Sequence, residues 1–196
     1  MDIYFIDLNL DKNITENKIQ LNKLQHKFSR LFLKNILENV YGIKFEISEK
    51  NKKPYIENNP IYFSISHSKS LIGICFDTYN IGFDIEYKKD RDIKGLLKHY
   101  GLEDEKITKD EFYQMWTVYE AEYKAGQINQ ILSFNYNGYM CSVSCENEKI
   151  NKIFELKIIN PKIFSDEIYI SKNDYSIQNL DINDFIMLSP LKTKLN

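Results

Sequence analysis

Residues 80–86 (Asn-Ile-Gly-Phe-Asp-Ile-Glu) constrain the fold most, because here an apolar strand ends in two carboxylates. Side chains two apart in a strand share one face, with Cα atoms about 6.5–7 Å apart, so Asp84 and Glu86 are neighbours. Two like charges beside apolar residues are unfavourable unless a positive charge lies between them. The pair therefore predicts either a site for a hard cation such as Mg²⁺, Mn²⁺ or Ca²⁺, or a strand end with two solvated acids.

The composition is that of a folded chain with a sizeable core. The 196 residues are 43% hydrophobic and include 14 Tyr and 12 Phe, which suits one large domain or two small ones. The net charge of −2 does not indicate a nucleic-acid-binding protein, so an anionic ligand needs a local basic cluster. Three cysteines in apolar runs, without metal-ligand spacing, indicate buried free thiols in a reducing compartment: Cys75, Cys141 and Cys145.

The sequence predicts a soluble, cytoplasmic protein that does not bind membranes. The first residues carry Asp2, Asp7 and Asp11, which is unlike a signal peptide. No apolar run approaches the roughly 20 residues that a membrane-spanning helix needs.

Alternation and capping signals predict one helix and several antiparallel strands in the first half of the chain. Residues 3–10 alternate as a strand, and Thr15 can cap a helix that ends near Tyr41 and Gly42. The residues Lys52-Lys53-Pro54 predict a turn. Further strands are predicted at 45–47, 62–66, 71–76 and 81–86, with a hairpin-like turn at 77–80.

The predicted first helix carries a basic stripe opposite its apolar one. Lys23, Lys27, Arg30 and Lys34 follow helical spacing, and His26 lies beside them. A solvated surface is the common explanation of such a stripe. The alternative is a cradle for phosphate groups, which bind clustered Lys and Arg.

The second half repeats the order of a helix followed by antiparallel strands. A short helix is predicted at 93–100, and Thr108 with Glu111 forms a capping-box signature for a helix that ends at Ala125. Its predicted apolar stripe is Phe112, Met115, Trp116, Tyr119 and Tyr123. An Asn-Gly turn at 137–138 predicts a hairpin, and strands are predicted at 153–159, 168–171 and 185–188.

Glu120 and Lys124 lie four residues apart on the second long helix, so their side chains share a face. A surface salt bridge worth a few tenths of a kcal/mol is the ordinary interpretation of such a pair. Together the two halves predict an α+β fold, with residues 1–90 as an N-terminal half and 91–196 as a C-terminal half.

Three blocks occur in order along the chain: Phe63-Ser64-Ile65-Ser66-His67-Ser68, Gly82-Phe83-Asp84-Ile85-Glu86 and Trp116-Thr117-Val118-Tyr119-Glu120-Ala121-Glu122-Tyr123-Lys124. The ordered set resembles the 4′-phosphopantetheinyl transferase family, specifically its longer Sfp-type enzymes. That family's blocks read approximately F-N-[IL]-S-H-S, G-[IV]-D-[IV]-E and W-[ST]-x-K-E-[AS]-x-x-K. Lys52-Lys53-Pro54 also resembles the G-K-P that precedes the first block. The likeness covers residues 45–126 best.

The resemblance implies two similar α+β halves related by a pseudo-twofold axis, with the active site between them, in a monomer. It implies a reaction that moves the 4′-phosphopantetheine arm of coenzyme A onto a serine hydroxyl of an apo acyl or peptidyl carrier protein. The other product is 3′,5′-ADP, and Mg²⁺ is required.

The resemblance also implies roles for particular residues. Asp84, Glu86 and Glu120 match the family's metal-binding acids, and Lys124 matches the lysine that follows the helix Glu. Glu120, or a water held by these acids, would take the serine proton, and Lys124 would neutralise or protonate the leaving phosphate. On the coenzyme A side the matching residues are Ser66 and His67 at phosphates, Lys53 and Pro54 near adenine, and Lys34 or Arg30 near the 3′-phosphate.

The chain departs from the family pattern at several positions. Tyr119 stands where the family has a lysine before the helix Glu, Ser64 replaces an Asn, and Lys52 replaces a Gly. After Gln127 the chain moves quickly to the Asn-Gly hairpin, which predicts a trimmed second half. Two other functions stay open from the sequence. One is a weak or inactive relative that binds coenzyme A or a carrier protein, and the other is a Mg²⁺-dependent phosphate-ester hydrolase.

Overall fold

The computed structural model describes residues 1–10, 16–44, 48–50, 53–56, 61–99, 107–127, 130–147 and 149–158, and the shorter segments 162–164, 167–169, 175–182, 185 and 187–188. Within these residues the fold is α+β, as the sequence predicts. The helices are α1 (Lys18–Asn39), α2 (Ile93–His99) and α3 (Lys109–Ala125). None of the described helices is long and apolar enough to cross a membrane.

The first strands are β1 (Asp2–Asp7), β2 (Ser48–Lys50), β3 (Lys53–Tyr55), β4 (Tyr62–Ser68), β5 (Leu71–Asp77) and β6 (Ile81–Tyr87). The later strands are β7 (Gln130–Tyr136), β8 (Tyr139–Cys145), β9 (Lys152–Ile158), β10 (Lys162–Phe164), β11 (Glu167–Tyr169), β12 (Tyr175–Leu180) and β13 (Met187–Leu188).

Two sheets carry the fold. The larger has the order β12-β9-β1-β5-β4, in which β1 runs parallel to β9 and the other neighbours are antiparallel. The smaller is antiparallel, with the order β13-β7-β8-β6. The remaining short strands form the pairs β2-β3 and β10-β11.

The sheets pack face to face between layers of helix. Alternate residues of β1 explain this arrangement, since Ile3 and Phe5 enter the core between the sheets while Tyr4 and Ile6 face α1. The smaller sheet contributes Phe83 and Ile85 to the central core. Its other face is covered by α2 and α3. The order of layers is therefore helix, sheet, sheet, helix, and the predicted pseudo-twofold relation stays a prediction.

The helix termini follow the sequence signals closely at α3 and less closely at α1. The capping box of Thr108 and Glu111 is formed, and Gly126 ends α3 in the left-handed conformation with φ of 72°. At α1 the cap is Asn17, whose side chain accepts a hydrogen bond from the Gln20 N–H. The predicted cap, Thr15, lies outside the described residues.

The predicted apolar stripe of α3 is wrong at its C-terminal end. Tyr119 and Tyr123 are 46% and 68% exposed. The helix instead packs through small residues, and Thr117, Ala121 and Ala125 are buried. Small side chains on this face let the α3 backbone come close to β6, which turns the tyrosines outward.

Two predicted turns are also corrected. Residues 77–80 do not form a hairpin, because β5 belongs to the larger sheet and β6 pairs with β8 in the smaller one. Residues 53–54 lie in β3 rather than in a turn, with Lys50 opposite Lys53 in the β2-β3 pair. The predicted strand at 45–47 lies outside the described residues.

Each sheet contains strands from both sides of residue 90. The smaller sheet includes β6 from the N-terminal side, and the larger one includes β9 and β12 from the C-terminal side. The division into halves at this residue therefore stays a prediction about folding units. The hairpin of β7 and β8 is confirmed, with Asn137 and Gly138 at positive φ in its turn.

Gly82 is the position where α3 and β6 come closest. A Cβ atom there would collide with the carbonyl oxygen of Ala121 and lie 2.6 Å from the backbone nitrogen of Ala125. Neither backbone atom can move without shifting the helix. Replacing Gly82 with Ala should therefore lower the free energy of unfolding by about 3 kcal/mol, measured by urea denaturation.

Gly95 is the control, because a Cβ atom there meets the flexible carboxylate of Asp92. Gly95→Ala should leave stability unchanged or raise it by up to about 1 kcal/mol through helix propensity. Equal urea midpoints for Gly82→Ala and the unmodified protein would contradict the close contact between α3 and β6.

Candidate active site

Strands β4 and β6 lie side by side, and serine hydroxyls join them. Ser64, Ser66 and Ser68 are buried on alternate positions of β4. Their Oγ atoms accept hydrogen bonds from the backbone N–H groups of Phe83, Ile85 and Tyr87 at 2.9, 3.2 and 3.0 Å, respectively. The hydroxyls thus take the place of the carbonyls that a neighbouring strand would offer. We call the place where β4, β6 and α3 meet the seam, and it comprises Ser64, Ser66, Ser68, Asp84, Glu86 and Lys124.

The carboxylates of β6 receive the serine protons. Oγ of Ser66 donates to Oδ1 of Asp84 at 2.7 Å, and Oγ of Ser68 donates to Oε2 of Glu86 at 2.9 Å. Asp84 is buried, with only 6% of its surface exposed, and Glu86 is half-buried. The two acids are therefore held at the seam by hydroxyls, and Asp84 is not the solvated acid of a surface strand end.

Lys124 reaches the same place from α3. Its Nζ donates to Oδ1 of Asp84 at 2.7 Å and to the carbonyl oxygen of Phe83 at 3.1 Å. A buried carboxylate needs such a partner, because removing one member of a buried ion pair commonly costs about 3–5 kcal/mol. The structure thus brings together Asp84, Glu86 and Lys124, three of the residues singled out in the sequence.

Among the described residues, no cation contacts Glu86 as Lys124 contacts Asp84. Burial raises the pKa of Glu86 above its ordinary value, and the hydrogen bond from Ser68 offsets only part of that rise. The charge of Asp84 raises the pKa further, while Arg91 and Lys89 oppose this from a longer range. The seam therefore holds two acids against one ammonium group, an electrostatic balance that favours binding of an additional cation.

Glu120 lies half-buried one turn before Lys124 on α3. Among the described residues no three His, Cys, Asp or Glu side chains converge closely enough to hold a metal ion, so Asp84, Glu86 and Glu120 are not a preformed triad. Mg²⁺ in phosphate-transferring sites commonly uses one or two carboxylates, with water and substrate phosphates completing its shell. The donor chemistry of Asp84 and Glu86 fits that pattern, and Glu120 as a third ligand stays a prediction.

His67 faces α1 rather than the carboxylates. Its ring lies 5.4 Å from that of His26 in an edge-to-face arrangement. Burial, with smaller contributions from the charges of His26 and Lys124, lowers the pKa of His67 to about 4. The imidazole is therefore neutral at pH 7 and can bind an anion by donating a hydrogen bond, without contributing a positive charge.

The basic stripe of α1 continues away from His67. Arg30 is half-buried one turn beyond His26, and Lys34 is exposed two turns beyond, about 12 Å along the helix axis. Lys34 also forms an exposed ion pair with Glu38 at 3.9 Å. Of the two residues predicted at the 3′-phosphate, Arg30 therefore lies nearer to His67. The side chains of Lys53 and Pro54 lie outside the described part of the chain, so their adenine-side role stays a prediction.

Residues 88–90, which follow β6, contact the first turns of α3, and the sequence did not predict these contacts. Nζ of Lys88 contacts Oδ1 of Asp110 at 3.1 Å, and Nζ of Lys109 contacts Oδ1 of Asp90 at 2.6 Å. The hydroxyl of Tyr113 accepts from the backbone N–H of Lys89. The hydrogen bond of Tyr113 and the packing at Gly82 hold the helix that carries Lys124 against the strand that carries Asp84, and the two exposed ion pairs add little.

The pairing of Ser64 and Ser68 with β6 is a second feature beyond the sequence prediction. The alternation of serines at 64, 66 and 68 was a visible signal, because it places three hydroxyls on one face of a strand. Ser66 was expected to contact coenzyme A, and the structure gives its hydroxyl two partners within the protein.

Comparison of the sequence with protein-family models and with curated proteins gives no match.

The low pKa of His67 gives a testable pH dependence. Because His67 is neutral in the folded state down to about pH 4 and ordinarily titrates near pH 6.5, the folded protein binds fewer protons than the unfolded chain between these values. Stability should therefore fall as pH is lowered from about 6.5 towards 4. The imidazole resonances of His67, followed by NMR, should titrate well below pH 6.

His26→Gln should raise the pKa of His67, because it removes the nearby positive charge, and it should leave the fold intact because His26 is exposed. Titration of His67 near pH 6.5 in the unmodified protein would show that the ring is not buried as described.

Proposed function

We propose that the chain is a 4′-phosphopantetheinyl transferase. It moves the phosphopantetheine arm of coenzyme A to a serine hydroxyl of an apo acyl or peptidyl carrier protein and releases 3′,5′-ADP. The observation that carries this proposal is the meeting of three sequence blocks at the seam. Asp84 and Glu86 from one block bond to Ser66 and Ser68 from another, and Lys124 from the third pairs with Asp84. Blocks that resemble one family in order thus also converge in space.

The proposed reaction is a phosphoryl transfer. The carrier serine oxygen forms a bond to the phosphorus that bears the pantetheine arm, and the pyrophosphate P–O bond to the nucleotide breaks. The electron pair of that bond leaves with 3′,5′-ADP, and the serine proton passes to a base. Catalysis of such a step rests mainly on positioning and on neutralising the phosphate charge.

In this proposal Asp84 and Glu86 hold Mg²⁺, with Glu120 as the predicted third acid. When bound, the cation neutralises pyrophosphate oxygens as charge develops on the leaving phosphate. Lys124 supplies a positive charge that can pair with Asp84 or with a substrate phosphate. Glu120, on the face of α3 that it shares with Lys124, is the proposed base for the serine proton.

The coenzyme A phosphates are assigned to the α1 side of the seam. Neutral His67 donates a hydrogen bond to a phosphate. Arg30 supplies a local positive charge, which a phosphate needs because the net charge of the chain is −2. The single proton of the Ser66 hydroxyl is donated to Asp84, so Ser66 can donate to a coenzyme A phosphate only by giving up that bond. His67 is therefore the stronger candidate of the two.

A coenzyme A or carrier-binding module without efficient catalysis is the second candidate function. Tyr119 favours it, because its exposed ring stands where the family has a phosphate-binding lysine. A Mg²⁺-dependent phosphate-ester hydrolase stays a third candidate function.

Incubation with coenzyme A, Mg²⁺ and an apo carrier protein tests the proposal, with the carrier weighed by mass spectrometry. The expected result is a gain of one phosphopantetheinyl group. Asp84→Asn should slow the gain by about 100-fold or more, because it removes the carboxylate that would hold Mg²⁺ and that pairs with Lys124. Asp92→Asn is the matched control and should keep full activity, since Asp92 lies outside the seam and its amide would still accept from the Gly95 N–H.

Coenzyme A binding without modification of several acyl and peptidyl carriers would favour the module. Release of inorganic phosphate without a heavier carrier would favour the hydrolase.

A further inference from the structure

We infer that Ser66 and Ser68 are positioning residues for phosphopantetheine transfer, whose hydroxyls hold Asp84 and Glu86 in their working orientation. This inference rests on the proposed function, and it assigns to the serines a task other than binding coenzyme A. Ser68 carries the larger part, for reasons that follow from the hydrogen bonds of each hydroxyl.

A serine hydroxyl has one proton and two acceptor lone pairs, and its rotor normally turns to suit its surroundings. At Ser68 an acceptor site is taken by the Tyr87 N–H at 3.0 Å, and the proton goes to Glu86 at 2.9 Å. Because the N–H belongs to the β6 backbone, the rotor is fixed relative to the strand that carries the acid. The bond to Glu86 therefore restricts a side chain that would otherwise have several rotamers.

Ser66 repeats this arrangement two residues earlier. It accepts from the Ile85 N–H at 3.2 Å and donates to Asp84 at 2.7 Å. Asp84 has a second anchor in Lys124, whose Nζ contacts the same Oδ1. Glu86 has no hydrogen-bond donor other than Ser68 in the described part of the chain. Loss of the hydroxyl should therefore disturb Glu86 more than Asp84.

The bonds also determine which carboxylate oxygens face the reaction. Ser66 and Lys124 use Oδ1 of Asp84, and Ser68 uses Oε2 of Glu86. Within the described residues, Oδ2 of Asp84 and Oε1 of Glu86 take no hydrogen bond and are the oxygens left to meet a cation. A carboxylate with one oxygen anchored presents the other in a defined direction, as second-shell partners do in metal sites.

Ser64 offers a matched control within the same strand. It is buried like the other two and accepts from the Phe83 N–H at 2.9 Å. The β6 residue at the matching place is Gly82, which has no side chain to receive its proton. Ser64→Ala and Ser68→Ala thus each remove a hydroxyl that accepts from β6, but only the second also releases a carboxylate.

The test compares Ser64→Ala, Ser66→Ala, Ser68→Ala and Ser68→Thr in the full chain. The measurements are thermal unfolding, Mn²⁺ affinity, and the kcat and KM for coenzyme A in carrier modification. We expect similar losses of Tm for Ser64→Ala and Ser68→Ala. We expect Ser68→Ala to lower kcat by about tenfold and to weaken Mn²⁺ binding, with KM little changed, as fits loss of one hydrogen bond to a charged group. Ser66→Ala should show a smaller loss, and Ser68→Thr should restore activity.

Equal kcat and Mn²⁺ affinity in Ser64→Ala and Ser68→Ala would overturn the inference, since the hydroxyls would then serve the fold alone. If Ser68→Ala does not fold, the pair Ser64→Cys and Ser68→Cys replaces it, because a thiol keeps the volume but donates weakly. If the unmodified protein transfers nothing to any carrier, the proposed function fails. Weaker Mn²⁺ binding by Ser68→Ala than by Ser64→Ala would then still support the positioning role, and equal binding would reject it.

Discussion

Three hydrogen bonds from the β6 backbone to serine hydroxyls join the two sheets of this protein. A strand at the edge of a sheet has N–H groups that need partners, and buried ones cost about 1–3 kcal/mol each when unpaired. Along β6 the N–H groups of Phe83, Ile85 and Tyr87 turn away from β8 and meet side chains of β4. Hydroxyls accept these bonds and still have a proton to donate, which backbone carbonyls do not. The contact that joins the sheets therefore also supplies donors to Asp84 and Glu86.

The seam is completed by α3, and its close approach depends on small residues. Gly82 leaves room for the helix backbone, and the buried hydroxyl of Thr117 bonds to that of Ser142 on β8 at 2.7 Å. With α3 this close to β6, Nζ of Lys124 contacts Asp84 and compensates one of the two negative charges. The second charge, on Glu86, is the physical reason to expect a further cation, and a phosphate-bearing ligand with Mg²⁺ would supply both charge and counter-charge.

Local signals predicted most of the helices and strands of this fold, and the resemblance predicted which residues would share a site. The capping box at Thr108 and the Asn-Gly hairpin involve neighbouring residues, so the sequence defined them well. A shared site for Asp84 and Lys124 was expected from the family pattern alone, because no periodicity relates residues 40 positions apart. Their direct ion pair was not predicted.

The sheet topology could not be read in the same way. The strand β9 pairs with β1, and residues 77–80 lead from the larger sheet to the smaller one. Both features depend on contacts between residues that are distant in sequence. The exposure of Tyr119 and Tyr123 was not predicted for a related reason. Apolar spacing shows that these residues share one face of α3, but it does not show that α3 packs on β6 through a different face of small residues.

The most direct test of the account is a crystal structure grown with Mn²⁺ and 3′,5′-ADP, with data collected at the manganese absorption edge. We expect an anomalous peak within roughly 2.5 Å of a carboxylate oxygen of Asp84 and of Glu86, next to a nucleotide phosphate. We also expect the 3′-phosphate on the α1 side, towards His67 and Arg30. The opposite result would be a fully occupied nucleotide and manganese that both bind elsewhere on the protein. Asp84 and Glu86 would then contact only Lys124 and the serines, and no cation site would exist at the seam.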